Sequence, residues 1–196
     1  MFYETLYFLQ EQVNKYIDSL NLNDPNVSSP VVILGNIGTL TDEELKNTNN
    51  IILSLVNISE EFTLKNMPNY KKEGNDTIYY NPPVFLNLFL LFTACIKKYE
   101  SALIYLSHVV RFFQGKNTFT QKNSPSVLSG LEDFKIIMDI YSPTFEQSNY
   151  LWSTLGGKQH PFILYKARLI EMERDSTSEK RPSVAEVDYN DKTKNN

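Results

Sequence analysis

One cysteine, one tryptophan, two histidines and seven glycines are spread over 196 residues, and each scarcity removes a class of chemistry. The lone thiol, Cys95, has no partner for an internal disulfide. Flanked by Ala94 and Ile96 in an apolar run, it is expected to be a core residue of a protein made in a reducing compartment. A catalytic thiolate needs access and a neighbouring base, and that setting offers neither. His108 and His160 belong to no His-x-x-x-His pair and no Cys/His cluster, so a zinc site is not expected and both read as structural. Phosphate-cradling loops are missing too. Gly35-Asn36-Ile37-Gly38 lacks the Lys-Ser/Thr that reaches a phosphate, and Gly156-Gly157-Lys158 follows a helical stretch instead of preceding one. Both read as turns, and no cofactor is expected.

An excess of positive charge is also lacking. Nineteen basic against twenty-three acidic side chains leave a net charge of -4, so nucleic acid is not an expected partner. The most apolar stretch, Val84 to Ile96, is thirteen residues long and contains Asn87, short of the roughly twenty residues a bilayer-spanning helix needs. It reads as a core element, and membrane insertion is not expected. The first residues, Met1-Phe2-Tyr3-Glu4, carry an acid and no basic n-region, so no export signal is expected and cytoplasmic synthesis is the default.

What is present is a set of alternating helix and strand patterns. Phe2, Leu6, Leu9, Val13, Ile17 and Leu20 recur at helical spacing, opposite Glu11, Gln12, Lys15 and Asp18, and predict an amphipathic helix ended by the Asn-rich breaker cluster Asn21 to Pro30. Val31 to Leu34 reads as a short buried strand stopped by Gly35, and Thr41-Asp42-Glu43-Glu44 has the form of a capping box. Ile51 to Ile58 is β-branched and apolar on both faces, as a strand inside a sheet is. Thr63 to Asn75 is a polar, basic excursion with a turn at Gly74-Asn75-Asp76, followed by strand chemistry in Thr77 to Tyr80 and a stop at Pro82-Pro83. Long excursions in compact domains are often functional, and this one is a candidate contact arm.

Val84 to Ile96 predicts a long strand buried on both faces, and a helix then carries the stripe Tyr99, Ala102, Leu103, Leu106, Val110 and Phe113, with Gly115 placed to cap it. Asn117 to Gly130 reads as a polar loop and Phe134 to Tyr141 as a strand with one solvated face. Ser142-Pro143 reads as the N-cap and first turn of a helix bearing Phe145, Leu151, Trp152 and Leu155, closed by Gly156-Gly157. Pro161 to Met172 is the last expected strand, and from Glu173 the composition turns polar. This order is neither the regular alternation of a doubly wound sheet nor an all-β barrel. The expectation is a single α+β domain over residues 1–174, with a mixed, mostly antiparallel sheet flanked by helices, and a flexible polar tail over 175–196.

Acid/base chemistry finds little support. Glu43-Glu44, Glu60-Glu61 and Asp133 with Asp139 are the carboxylate pairs, and nothing in the pattern places two of them in one apolar cleft. Aromatic residues make up 13% of the chain, and Tyr79, Tyr80, Phe112, Phe113, Phe119, Tyr150 and Trp152 fall near predicted element ends, where they serve equally as core or as interface anchors.

Six strings occur in a consistent order: Phe8 to Asn14, Ile51 to Asn57, Lys65 to Tyr70, Asn81 to Leu88, Val110 to Lys116 with Phe119-Thr120, and Ser148 to Lys158. Together they resemble the tail-terminator, or cap, family of extracellular contractile injection systems, the phage-tail-like particles of virulence-cassette and antifeeding-prophage type, over most of residues 1–174. The resemblance implies a phage tail-terminator-like fold and a non-enzymatic protein that forms a hexameric ring at the baseplate-distal end of tube and sheath and stops their growth. Its implied partners are further copies of itself and the inner tube and sheath proteins, met in the cytoplasm during assembly. Two other readings stay open: a terminator of a related phage tail or type VI-like apparatus, and a small enzyme using His108 or His160. The candidate contact residues are Asn69, Tyr70, Lys71 and Lys72 in the arm, Phe112, Phe113, Gln114 and Lys116 at a helix corner, and Tyr150, Trp152 and Lys158 further on.

Overall fold

The structure is a computed structural model that describes residues 2–61, 70–73, 76–79, 84–124, 134–156, 158–172 and 180–182. Its centre is a six-stranded sheet in the order β1-β2-β5-β8-β7-β6, built from β1 (Val32–Leu34), β2 (Asn50–Glu60), β5 (Val84–Cys95), β6 (Thr118–Thr120), β7 (Lys135–Tyr141) and β8 (Phe162–Met172). The β1–β2 pair is parallel and the other four pairs are antiparallel. The sheet is therefore mixed and mostly antiparallel, as the sequence pattern predicts.

Helices cover both faces. On one face α1 (Phe2–Ser19) and α3 (Tyr99–Gly115) enclose the larger core, to which β5 contributes Leu88, Leu90, Phe92 and Ala94. On the other, α2 (Asp42–Asn47), a short 3-10 turn (Ile37–Thr39) and α4 (Phe145–Thr154) lie over Ile52, Leu91, Cys95 and Leu164. Because alternate side chains of a strand point to opposite faces and both faces of β5 are covered, its sequence is apolar on both sides apart from Asn87 and Thr93, instead of alternating. The sheet's two faces thus account for a segment whose composition alone is compatible with a buried helix.

The first helix ends where the breaker cluster begins: Asn21 takes a left-handed φ of 49°, a conformation that asparagine tolerates at a helix C-terminus. Asp24 then ties the loop to α3, accepting a hydrogen bond from Ser101 Oγ at 2.6 Å and one from the Asn26 backbone N–H at 2.9 Å. Thr41 caps α2 in a full capping box with Glu44, as its sequence predicts.

Four expectations are corrected. The buried stripe of α3 is Ala102, Tyr105, Leu106, Val109 and Phe113, while Tyr99 and Leu103 are exposed; the apolar residues of this helix extend over more than one face, so periodicity alone left its rotation ambiguous. Gly115 is the last residue of α3, and the cap is Lys116 with an extended φ of -145°, so no glycine-specific conformation is used there. The loop after α3 contains strand β6, whose Phe119 is fully buried; a three-residue strand between polar residues shows too little alternation to be legible. The N-cap of α4 is Thr144, which forms a capping box with Gln147, rather than Ser142. At the other end of α4, Gly156 has φ +106°, a value that L side chains rarely adopt, so a glycine does close this helix.

A second, three-stranded sheet stands apart, in the order β3-β4-β9. It comprises β3 (Tyr70–Glu73), β4 (Asp76–Tyr79) and β9 (Lys180–Pro182). The β3–β4 pairing brings Glu73 opposite Asp76, with β3 in the stretch read as polar; Gly74 and Asn75, where the sequence predicts a turn, lie outside the described residues. Of the expected tail, the described residues are Lys180–Pro182, which pair with β4.

Candidate assembly surface

The contact residues expected at the helix corner are mostly interior. Phe113 is 2% exposed, and Phe112 packs at 5.4 Å from Tyr16 and 5.0 Å from Phe113 between ring centroids. Both join a cluster with Phe8, Phe92, Phe119 and Tyr165 that fills the space between α1, α3 and the sheet. Lys116 Nζ donates to the Asn123 carbonyl and to Ser124 Oγ, each at 2.9 Å, and lies 5.0 Å from the Phe119 ring centre. It fastens the turn after β6 to the core, and partial burial holds its ammonium below the usual lysine range. Gln114 is exposed on α3.

Trp152 also belongs inside, at 4% exposure, edge-on to Phe162 at 5.4 Å and tilted against His160 at 6.1 Å between ring centroids. Phe113 and Trp152 are therefore core residues, and their aromatic character is accounted for by packing within the chain. Tyr150, two residues before Trp152 on α4, is 63% exposed and donates a hydrogen bond to Glu146 Oε1 at 3.2 Å. Lys158 Nζ reaches Asp42 Oδ1 at 2.6 Å, with both side chains well exposed; an ion pair in such a setting contributes little to stability. In the arm, Tyr70, Lys71 and Lys72 make up most of β3, and Asn69 lies outside the described residues. The register sets Lys72, Thr77 and Arg181 in one cross-strand row and Lys71, Ile78 and Lys180 in the next. Four basic positions thus converge on a small sheet in a chain whose net charge is -4.

The sequence reading missed an apolar surface beside α4. Phe145 is 97% exposed and Ile140 59% exposed. With Trp152, Phe162, Ile163 and Leu164 they line a cleft of about 710 Å³ between α4 and the ends of β7 and β8. The sequence signal was available, since a helix whose N-cap is Thr144 instead of Ser142 begins at Phe145 and leaves that ring on its first, outward turn.

The titratable groups are committed elsewhere. Burial pushes the Cys95 thiol up to about 11, the opposite of what a nucleophile needs. Burial also lowers both histidines, His108 beside Arg111 and His160 beside Lys158, and favours their neutral forms. His108 lies on α3, while His160 packs on the other side of the sheet beside Trp152. Glu61 Oε2 accepts from Asn87 Nδ2 at 3.0 Å and faces Lys166 Nζ at 3.7 Å, Asp139 is paired with Arg168, and Glu44 is the capping-box residue. Asp133 lies outside the described residues. Among the described residues no group of His, Cys, Asp or Glu could hold a metal ion, and no helix is long and apolar enough to cross a membrane.

A mixed six-stranded sheet between helices, with a separate hairpin sheet, defines an α+β fold, and solved tail-terminator structures share it. One similar structure is the sheath/tube terminator of the PVC extracellular contractile injection system in its extended state, with TM-score 0.59 and 12% identity over 96% of this chain and 62% of that one. Another is the anti-feeding prophage tube-terminating cap, with TM-score 0.58 and 13% identity over 90% of this chain and 59% of that one. The chain belongs to the Pvc16 N-terminal domain family, whose model matches residues 4–186. This match runs past Arg174, where the sequence resemblance stops, and takes in β9. The chain spans about 60% of the length of the two solved structures. Among curated proteins none matches its sequence.

Proposed function

We propose that this protein is a structural terminator of a contractile injection system, which forms a ring, in our reading a hexamer, on the baseplate-distal end of tube and sheath and ends their growth. The observation that carries this reading is the coincidence of family and fold: a Pvc16 N-terminal domain match over residues 4–186 and a terminator fold over 96% of the chain. The burial of the Cys95 thiol and the pairing of Glu44, Glu61 and Asp139 within the fold support a non-enzymatic role. A six-fold ring matches a six-fold tube at every subunit, so contacts that are weak singly hold firmly together once one has formed. The basic arm and the exposed Tyr150 and Gln114 are the surfaces we assign to contacts with tube, sheath or neighbouring subunits. In this role the protein joins the particle during cytoplasmic assembly.

The test is co-expression of the tube and sheath proteins with and without this chain, followed by electron microscopy. Particles of uniform length bearing density at one end are expected with it, and longer, heterogeneous ones without it. An unchanged length distribution and no binding to tube ends would overturn the reading.

A further inference from the structure

A second pocket, of about 260 Å³, lies between α2, the end of β5 and the turn that leads into β8. Its floor is apolar, formed by the buried Cys95 and Ile96 and the half-buried Leu45. Around that floor stand Lys46, Lys97 and Lys158, all exposed, together with Asp42 and His160. No local pattern groups these residues. Lys46 is in the last turn of α2, Lys97 follows β5, and Lys158 and His160 precede β8, so the fold alone brings them to one place.

Three ammonium groups meet a single carboxylate here, an excess of two positive charges. Asp42 is already engaged: Lys158 Nζ lies 2.6 Å from its Oδ1, and Lys158 first, with Lys46 adding less, holds its carboxyl below the usual range. Because that pair is exposed it is weak, and Lys158 can turn from it to a second oxyanion at little cost. Lys97 forms no ion pair among the described residues. His160 makes the inner wall, its ring 6.1 Å from that of Trp152 and its Nε2 buried without a hydrogen-bond partner among the described residues. Burial, and after it the Lys158 charge, keep this ring neutral, and no carboxylate offsets them. Cys95 contributes no negative charge either, since burial holds its thiol protonated. Against an apolar floor the field of the lysines is less screened than on open surface.

We infer that this pocket binds one small oxyanion, a phosphate or sulfate group or a single carboxylate, held by Lys46, Lys97 and Lys158 with the His160 ring at its inner wall. The volume suits that class of ligand. It leaves room for one such group and a few waters, at about 30 Å³ each, and lies below the roughly 300–1,000 Å³ of sites for larger organic ligands. The inference goes beyond the terminator reading and does not depend on it. Binding and protonation are linked, because an oxyanion favours the imidazolium: the ligand raises the pH at which His160 titrates, and protonation tightens binding in return.

The site carries its own reporter. Trp152 is the chain's one tryptophan, it packs on His160, and a protonated imidazole quenches indole fluorescence. The full chain is titrated with sodium sulfate, and separately with sodium acetate, at mildly acidic pH, with sodium chloride holding ionic strength constant. A saturable change in Trp152 emission is expected in at least one titration, with a higher pH midpoint of that emission at saturation. Lys46→Ala with Lys97→Ala is expected to weaken binding at least about tenfold, and His160→Gln to remove the pH dependence; circular dichroism and the thermal midpoint check that both variants are folded. Saturation by sulfate alone points to a free phosphate-like ion, and saturation by acetate to an acidic side chain of a neighbouring protein. Emission that responds to neither salt or follows ionic strength alone overturns the inference. So does an unchanged pH midpoint at saturation, or a lysine variant that binds like the unaltered chain.

Discussion

Asn14 shows how much one side chain can decide. It lies on the buried side of α1, where an amide is unexpected, and exchanges two hydrogen bonds with Val32: Asn14 Nδ2 donates to the Val32 carbonyl and the Val32 N–H donates to Asn14 Oδ1, both at 2.8 Å. Gln10 Nε2 adds a third at 3.0 Å to the same carbonyl. The amide thus does for Val32 of edge strand β1 what a further strand would do, satisfying its outward N–H and carbonyl. Asn14→Ala leaves the Val32 N–H buried without that acceptor. It is expected to cost about 1–3 kcal/mol, read as a lower urea midpoint with an unchanged m-value, whereas Asn21→Ala, outside this contact, is not expected to reproduce the loss through Val32. Helical periodicity says nothing of a partner for Asn14; the bond to Val32 needs the strand beside it.

At the scale of elements, the start of α4 distinguishes two sequence signals that lie two residues apart. Ser142-Pro143 has the composition of an N-cap and first turn, yet Thr144 and Gln147 form the capping box, with Gln147 N–H to Thr144 Oγ1 at 3.2 Å and Thr144 N–H to Gln147 Oε1 at 3.0 Å. The reciprocal pair satisfies two backbone donors where a lone serine satisfies one, and this decides between the candidates. Thr144→Ala is expected to destabilise by about 1 kcal/mol, while Ser142→Ala stays near neutral; chemical denaturation of the two variants measures the difference, and equal effects would place the cap at Ser142. The two-residue displacement turns Phe145 outward over the cleft. The 3-10 turn packs at the far end of the same helix, where a Cβ on Gly38 would come within 3.2 Å of Leu155 Cδ2, so α4 is held at both ends while its outer face stays free.

At the scale of the molecule, charge is unevenly placed. The chain carries -4 overall, while Lys71, Lys72, Lys180 and Arg181 sit in the register of the small sheet. If the arm meets an acidic surface of a subunit or tube, the attraction acts over about 10 Å at 0.1 M salt and is screened as salt rises. Lys71→Glu with Lys72→Glu is expected to weaken association severalfold at low ionic strength, and the variant and unaltered chains are expected to converge as salt increases. Light scattering across a salt series checks this, and a deficit independent of salt would mean that the substitutions act through packing instead.

Local patterns in the sequence sufficed for the elements with strong signals: the helix from Phe2, the doubly apolar strands at Ile51 and Val84, and the α+β class these imply. Each follows from interactions between residues a few positions apart, or from burial on both faces of one strand. Tertiary structure alone decided the strand order, the rotation of α3, the placing of Phe119 and Trp152 inside and of Phe145 outside, and the cleft at the start of β8. Those outcomes depend on which distant segments meet. An aromatic side chain gains similarly from burial in its own core or in a partner's, so its local sequence does not say which; the neighbour that arrives through the fold does.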